Sequence, residues 1–100
     1  SAIGQMTDSF REQEGNKKSV VLVEYPRKGS WAVGFATKEN TGEIKAKTNI
    51  NLVNVFVPTT PNPTSGFLLM IPKDDLIYLD MTFEEASKFI VSAGTSKPKS

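Results

Sequence analysis

The sequence predicts an α+β domain that is mostly β: a small sheet or partly open barrel of about five strands, with one C-terminal helix packed on it. Three observations lead there. Short apolar runs rich in β-branched residues recur at Val20 to Val23, Trp31 to Thr37, Leu52 to Val57, Phe67 to Ile71 and Leu76 to Leu79. Clusters of proline, glycine and asparagine separate them. One late segment, Thr82 to Ala93, instead carries its apolar residues at helical spacing. A chain of 100 residues is the size of one domain and buries about 60–70% of its unfolded surface.

Taken in order, Ile3, Met6 and Phe10 fall at helical spacing and Gly15-Asn16 supplies a stop, so residues 1–18 read as an N-terminal helix or linker remnant. The start Ser1-Ala2-Ile3 has no initiating Met and reads as the beginning of a piece of a longer chain. Residues 19–94 read as a single soluble domain. Its first strand, Val20 to Val23 with Glu24-Tyr25, is continuously apolar and is expected in the middle of the sheet, covered on both faces. Pro26-Arg27-Lys28-Gly29 then predicts a tight hairpin turn. In Trp31 to Thr37, Trp31, Val33 and Phe35 share one face and Ala32, Gly34 and Ala36 the other. The small face is expected to receive a closely packed helix or second layer.

Residues Lys38 to Asn51 are polar and read as an exposed loop or weak hairpin around Thr41-Gly42. Leu52 to Val57 is a strand in which Asn54 shares a face with Leu52 and Phe56, so it faces solvent or needs a buried partner. Pro58 to Gly66 holds three prolines and four hydroxyl side chains, which rules out helix or inner strand and predicts a stiff loop. The Thr60-Pro61 and Asn62-Pro63 bonds are both open to the cis form. Phe67 to Ile71 reads as another buried strand, Pro72 to Asp75 as a turn and Leu76 to Leu79 as a short strand. Thr82 and Glu85 form a capping box, and Phe83, Ala86, Phe89, Ile90 and Ala93 make one apolar stripe that Gly94 ends. Residues 95–100 read as a disordered tail.

Composition narrows the chemistry. The chain has no cysteine and no histidine, which removes disulfides, thiolate metal sites, serine–histidine and cysteine–histidine catalysis and the usual neutral-pH base. A non-catalytic domain without a cofactor is the expectation. Twelve basic against eleven acidic residues give a net charge of +1, far from the basic balance of a nucleic-acid binder. Tyr25, Trp31 and Phe35 would suit base stacking, yet no RNA-binding motif accompanies them and core packing is the better account. The carboxylates Asp74, Asp75, Asp80, Glu84 and Glu85 match no calcium-loop spacing, and turn formation and capping explain them; no metal site is expected. No apolar run reaches the ~18–20 residues of a membrane span.

Two places remain for binding. In the proline loop, Thr59, Thr60, Asn62, Thr64, Ser65 and Gly66 offer hydroxyls, an amide and backbone N–H groups to an anion or peptide, against the simpler reading of a stiff connection. At the hairpin tip, Arg27 and Lys28 offer charge to lipid phosphates or an acidic partner, although most such tips are only solvated.

The strings from Val20 to Phe35 (VVLVEYPRKGSWAVGF), Val55 to Leu69 (VFVPTTPNPTSGFLL) and Leu79 to Ile90 (LDMTFEEASKFI) resemble bacterial integral-membrane proteins with a domain of unknown function, related to the plant continuous-vascular-ring (COV-like) proteins. The similarity covers Ser19 to Gly94. It implies two membrane spans upstream, and with a cytoplasmic N-terminus this domain would stand on the cytoplasmic face. The plant relatives are associated with vascular patterning and endomembrane trafficking. The resemblance brings no activity, cofactor or site residue. With the missing catalytic residue types, it implies a tethered domain that binds an unknown protein partner or itself; the alternative, read from the loop residues themselves, is small-molecule or anion binding at loop 58–66.

Overall fold

Alternating apolar residues and strong turn signals resolve into one antiparallel sheet. A computed structural model describes residues 19–96, and within them the strands run in the order β4-β3-β2-β1-β5 with every neighbour antiparallel. β1 spans Val20–Glu24, β2 Trp31–Glu39, β3 Leu52–Pro58, β4 Gly66–Pro72 and β5 Ile77–Tyr78; helix α1 spans Glu43–Thr48 and helix α2 Phe83–Val91. The sheet stays open, so of the two expected forms the barrel is not the one adopted. The expected helix at Ile3 to Gln13 lies outside the described residues.

β1 is covered on both faces, as its continuous apolar run requires, but it lies next to the edge strand β5 and the central strand is β2. β1 and β2 form the expected hairpin, from Val20↔Phe35 to Glu24↔Trp31. Its connection closes through Tyr25 N–H to Ser30 O at 2.9 Å and Ser30 N–H to Arg27 O at 3.0 Å, with Gly29 left-handed at φ 91. Two X-Pro bonds are cis: Thr60-Pro61, one of the two candidates, and Tyr25-Pro26, which the sequence did not single out.

Strand alternation sorts the core into two layers. On one face, Phe83, Ala86 and Ile90 of α2 pack against Val20 and Phe35, with Val33, Phe56, Leu79 and Met81 around them. The Phe35 and Phe83 rings sit 5.1 Å apart at 46°, a tilted pairing. On the other face, Val21, Val23, Ala36, Val53, Val55 and Val57 cluster with Tyr25, Leu69, Ile71 and Leu76. The helix therefore does not lie on the small face of β2. A Cβ at Gly34 would fall 2.7 Å from Val55 Cγ1 and 3.0 Å from Phe56 O, so the space left by Gly34 is taken by the branched side chains of neighbouring β3. Helix α2 takes the large face instead, where Phe35 gives it apolar area to bury.

Three further expectations need correction. Residues 38–51 are not a loop: β2 continues to Glu39 through a register irregularity after Ala36, and α1 follows. Helix α1 buries no residue, so it has no apolar stripe to read, and it closes on Asn49 at φ 57, whose N–H donates to Lys45 O at 2.8 Å. The turn expected before β5 forms, as a 3-10 turn over Lys73–Asp75, but the strand expected over Leu76 to Leu79 is confined to Ile77–Tyr78. Most consequentially, β4 is not buried. It is the outer strand of the sheet, and Leu68 is 70% exposed, Phe67 52% and Met70 43%.

The capping box of α2 forms as expected: Glu85 N–H donates to Thr82 Oγ1 at 3.1 Å and Thr82 N–H to Glu85 Oε1 at 2.9 Å. At the other end Gly94 N–H reaches Phe89 O at 2.8 Å and Ala93 N–H reaches Ile90 O at 3.0 Å, the Schellman pairing. Of the tail, residues 97–100 lie outside the described residues, while Thr95 N–H and Ser96 N–H bond back to Ser92.

Candidate functional site

The loop from Pro58 to Gly66 is knitted mainly to itself. Thr59 N–H donates to Ser65 O at 2.8 Å, while its hydroxyl lies 2.5 Å from Asn62 O, 3.1 Å from Ser65 O and 3.2 Å from Ser65 Oγ. Asn62 Oδ1 accepts from Thr64 N–H at 3.2 Å and from Thr64 Oγ1 at 2.7 Å, a turn closed by the asparagine side chain. Thr60 points the other way, and its hydroxyl donates to Ile90 O in the last turn of α2. A hydroxyl has one proton. Those of Thr59, Thr60 and Thr64 are engaged by the protein's own acceptors, so an anion here would have to displace them. Gly66 is fixed by crowding: a Cβ would stand 2.2 Å from Val57 O and 2.7 Å from Pro58 Cα.

Beside this loop lies an open cavity of about 290 Å³ between β2, the start of the loop and the end of α2. Trp31, Val33, Pro58, Phe89 and Ala93 make its wall largely apolar, with Thr60 at its margin. Its walls suit an aliphatic or aromatic group rather than an anion. Trp31 is half exposed at its rim, and only Phe35 of the three aromatics weighed for stacking is fully in the core. Tyr25 leans on Phe67, ring centroids 5.8 Å apart.

Arg27 and Lys28 line a second recess, of about 470 Å³, together with Glu24, Pro72 and Asp75. The two cations share it with two carboxylates, and Glu24 Oε2 also accepts Gly29 N–H at 3.1 Å. This is a mixed-charge surface rather than a basic patch. Among the described residues, no acidic cluster is arranged to hold a metal ion, and no helix is long and apolar enough to cross a membrane.

The surface that sequence reasoning missed is the outer edge of β4. This strand pairs with β3 from Leu52↔Pro72 to Pro58↔Gly66, and among the described residues nothing pairs with its far side. The ladder continues at both ends through Thr59 N–H to Ser65 O and Lys73 N–H to Asn51 O, both 2.8 Å. In an antiparallel pair, every second residue turns its N–H and C=O toward the partner and the intervening ones turn theirs away. The inward set is thus Phe67, Leu69 and Ile71. Gly66, Leu68, Met70 and Pro72 offer their backbone groups outward, and of these only Pro72 lacks a donor. Side chains alternate too: Leu69 and Ile71 pack on the valine layer, while Leu68 and Met70 occupy the helix face beyond the reach of α2. The available signal was the run Gly66 to Pro72 itself, apolar at every side chain.

Comparison with known proteins places the chain in a family. The family model described as "Protein of unknown function (DUF502)" matches residues 1–65. The chain belongs to the DUF502 family. Two relatives from Arabidopsis thaliana, Protein LIKE COV 1 and Protein CONTINUOUS VASCULAR RING 1, are each 30% identical to it over 95 residues, 95% of this chain. That stretch is 34% and 32% of the respective relatives, so this DUF502 chain spans about a third of their length. No solved structure matches it. The family match and both relatives agree with the resemblance carried by the three sequence strings.

Proposed function

We propose that this DUF502 chain is a non-catalytic, membrane-tethered module that binds a protein partner or assembles with itself, and that it does so through the outer edge of β4. The observation that carries the reading is a seven-residue strand whose outer edge has no partner among the described residues, with Phe67, Leu68 and Met70 exposed. Such an edge offers main-chain hydrogen bonds and apolar contacts together, the combination used when one protein adds a strand to another. The absence of histidine and cysteine from the sequence supports the non-catalytic part of the reading, and the relation to COV-like proteins supports the tether.

The test is chemical cross-linking of the wild-type chain and of a Leu68→Lys, Met70→Lys double variant, in isolation and in membrane preparations. Cross-linked species that disappear in the variant are expected, since charges on an edge oppose strand addition. If both proteins give the same species, or neither gives any, the reading falls.

A second reading keeps one specific observation: the apolar cavity beside Thr60. There the ligand would be a small apolar molecule seated between Trp31 and Phe89. Trp31 is the sole tryptophan, so its fluorescence reports directly. A blue shift on adding small aromatic or aliphatic ligands, lost in Ala93→Trp, supports this reading; an unchanged spectrum across the panel removes it.

A further inference from the structure

We infer that the occupant of the β4 edge is the β4 edge of a second copy, laid antiparallel with Leu69 on the two-fold axis, an inference that rests on the edge-binding reading above. Three properties of the strand favour its own sequence as partner. The first is backbone parity. The outward groups belong to Gly66, Leu68, Met70 and Pro72, positions symmetric about Leu69. When the copies pair with Leu69 opposite Leu69, Leu68 and Met70 of each exchange both hydrogen bonds with Met70 and Leu68 of the other. Gly66 N–H then meets the Pro72 carbonyl of the second copy, and the missing proline donor falls at the ends of the ladder, where its absence costs least. A shift of one residue would set outward groups against inward ones, so it is excluded; a shift of two leaves outward groups at one end of each strand unmatched.

The second property is side-chain pairing. In the centred register Phe67 faces Ile71 and Leu69 faces Leu69 on the valine face, while Leu68 faces Met70 on the helix face. Every opposed pair of side chains within the strands is apolar, the favourable cross-strand combination. The third is charge. Lys73, the first charged residue after the strand, falls opposite Ser65 of the second copy, and its ammonium already lies 3.4 Å from Glu39 Oε1 of its own chain. No like charges confront one another, which is the usual means by which an edge refuses its own copy. Two-fold pairing also closes the assembly, since each copy consumes the edge it offers.

The absence of cysteine from the chain makes the register directly testable. Leu69 occupies a non-hydrogen-bonded position of the proposed ladder, where opposed Cα atoms lie about 4.5 Å apart, inside the ~4.4–6.8 Å range that a disulfide spans. Leu68 would face Met70 instead, leaving the two Leu68 residues about 7–8 Å apart on the diagonal. The expected result is that Leu69→Cys gives a covalent dimer under mild oxidation while Leu68→Cys and Met70→Cys do not. A mixture of Phe67→Cys and Ile71→Cys chains should cross-link although neither does alone, which covers the case in which Leu69→Cys folds poorly. Sedimentation of the wild-type chain over a concentration series should show monomer and dimer. Faster cross-linking of Leu68→Cys or Met70→Cys than of Leu69→Cys overturns the register, and a wild-type chain that stays monomeric overturns the second copy as partner. In that last case, continued loss of a cross-linked species in the Leu68→Lys, Met70→Lys variant would leave the edge-binding reading standing with a different protein on the edge.

Discussion

The two ends of the sheet are finished in different ways. At the β1–β5 end, α2 lays Phe83, Ala86 and Ile90 over Val20 and Phe35, and the edge strand is only Ile77–Tyr78. At the β3–β4 end the edge strand is seven residues long, and Leu68 and Met70 stand on the helix face beyond α2. Exposed apolar side chains do not separate the two, because Ile77 and Tyr78 are about half exposed as well. Length does. A two-residue edge offers a partner too few backbone groups to register on, whereas β4 offers a full alternating row. The fold thus protects one edge by shortness and leaves the other competent to pair.

Truncating each end separates them by the largest margin. Phe83→Ala should cost about 3–5 kcal/mol of stability, as expected for removing a buried aromatic ring. Leu68→Ala should cost no more than about 0.5 kcal/mol, as for an exposed position, while weakening association. Urea unfolding at a concentration low enough to keep the chain monomeric gives both values. Equal costs would mean that the β4 end is as well covered as the β5 end, which contradicts the comparison. The matching substitution on the other edge, Ile77→Lys, should leave association unchanged.

Gly66 is where β4 is pinned to its neighbour. Because the new Cβ would press on backbone atoms of Val57 and Pro58, which cannot swing aside, Gly66→Ala should cost about 1–3 kcal/mol. It should also weaken association by loosening the strand that carries it. Thermal unfolding and sedimentation of the same variant test both halves. An unchanged melting temperature would show that the loop relaxes to accept the methyl group, and that β4 is held less firmly than the contacts imply.

These two regions also divide what could be read in the sequence. The α2 end was legible because it uses local signals: Thr82 and Glu85 three residues apart, and an apolar stripe at helical spacing. The β1–β2 hairpin was legible for the same reason, with proline and glycine marking its turn. Helix α1 was not, because a helix that buries nothing leaves no stripe to find. Nor was the position of β4, since an apolar run states that a strand needs cover and does not state where the sheet ends. The same limit applied to Ala32, Gly34 and Ala36, whose small face made room for neighbouring valines rather than for a helix. At the candidate sites, the hydroxyls of the proline loop were legible as residue types. Their engagement with Asn62, Ser65 and Ile90 depends on a loop path that pattern alone does not specify.

Thr82→Ala acts wholly at the covered end. It removes the side chain that accepts Glu85 N–H and should cost about 1 kcal/mol in urea unfolding. Association through β4 should be unaffected, because the cap lies at the opposite end of α2 from the loop that leads into β4. A dimerisation constant that fell in parallel with stability would tie the two ends together and weaken the distinction between them.

The smallest effect tests a hydrogen bond that links the two ends. Helix α2 closes on Ala93 at φ 56, a left-handed position that costs a residue bearing a Cβ about 1–2 kcal/mol and glycine almost nothing. Ala93→Gly relieves that strain, but it also gives the unfolded chain more freedom, which returns roughly 0.4–1 kcal/mol. The net expectation is a gain of about 0.5 kcal/mol, read as a higher urea midpoint with an unchanged slope. The Thr60 hydroxyl donates to Ile90 O in the same turn, so a firmer helix end also steadies the loop from which β4 starts. If that single bond transmits order, Ala93→Gly should strengthen dimerisation slightly, and the double variant Ala93→Gly, Thr60→Val should lose the gain in dimerisation while keeping the relief at Ala93. If dimerisation is indifferent to both, the helix-covered end and the pairing edge are independent, and the β4 surface is set by β3 alone.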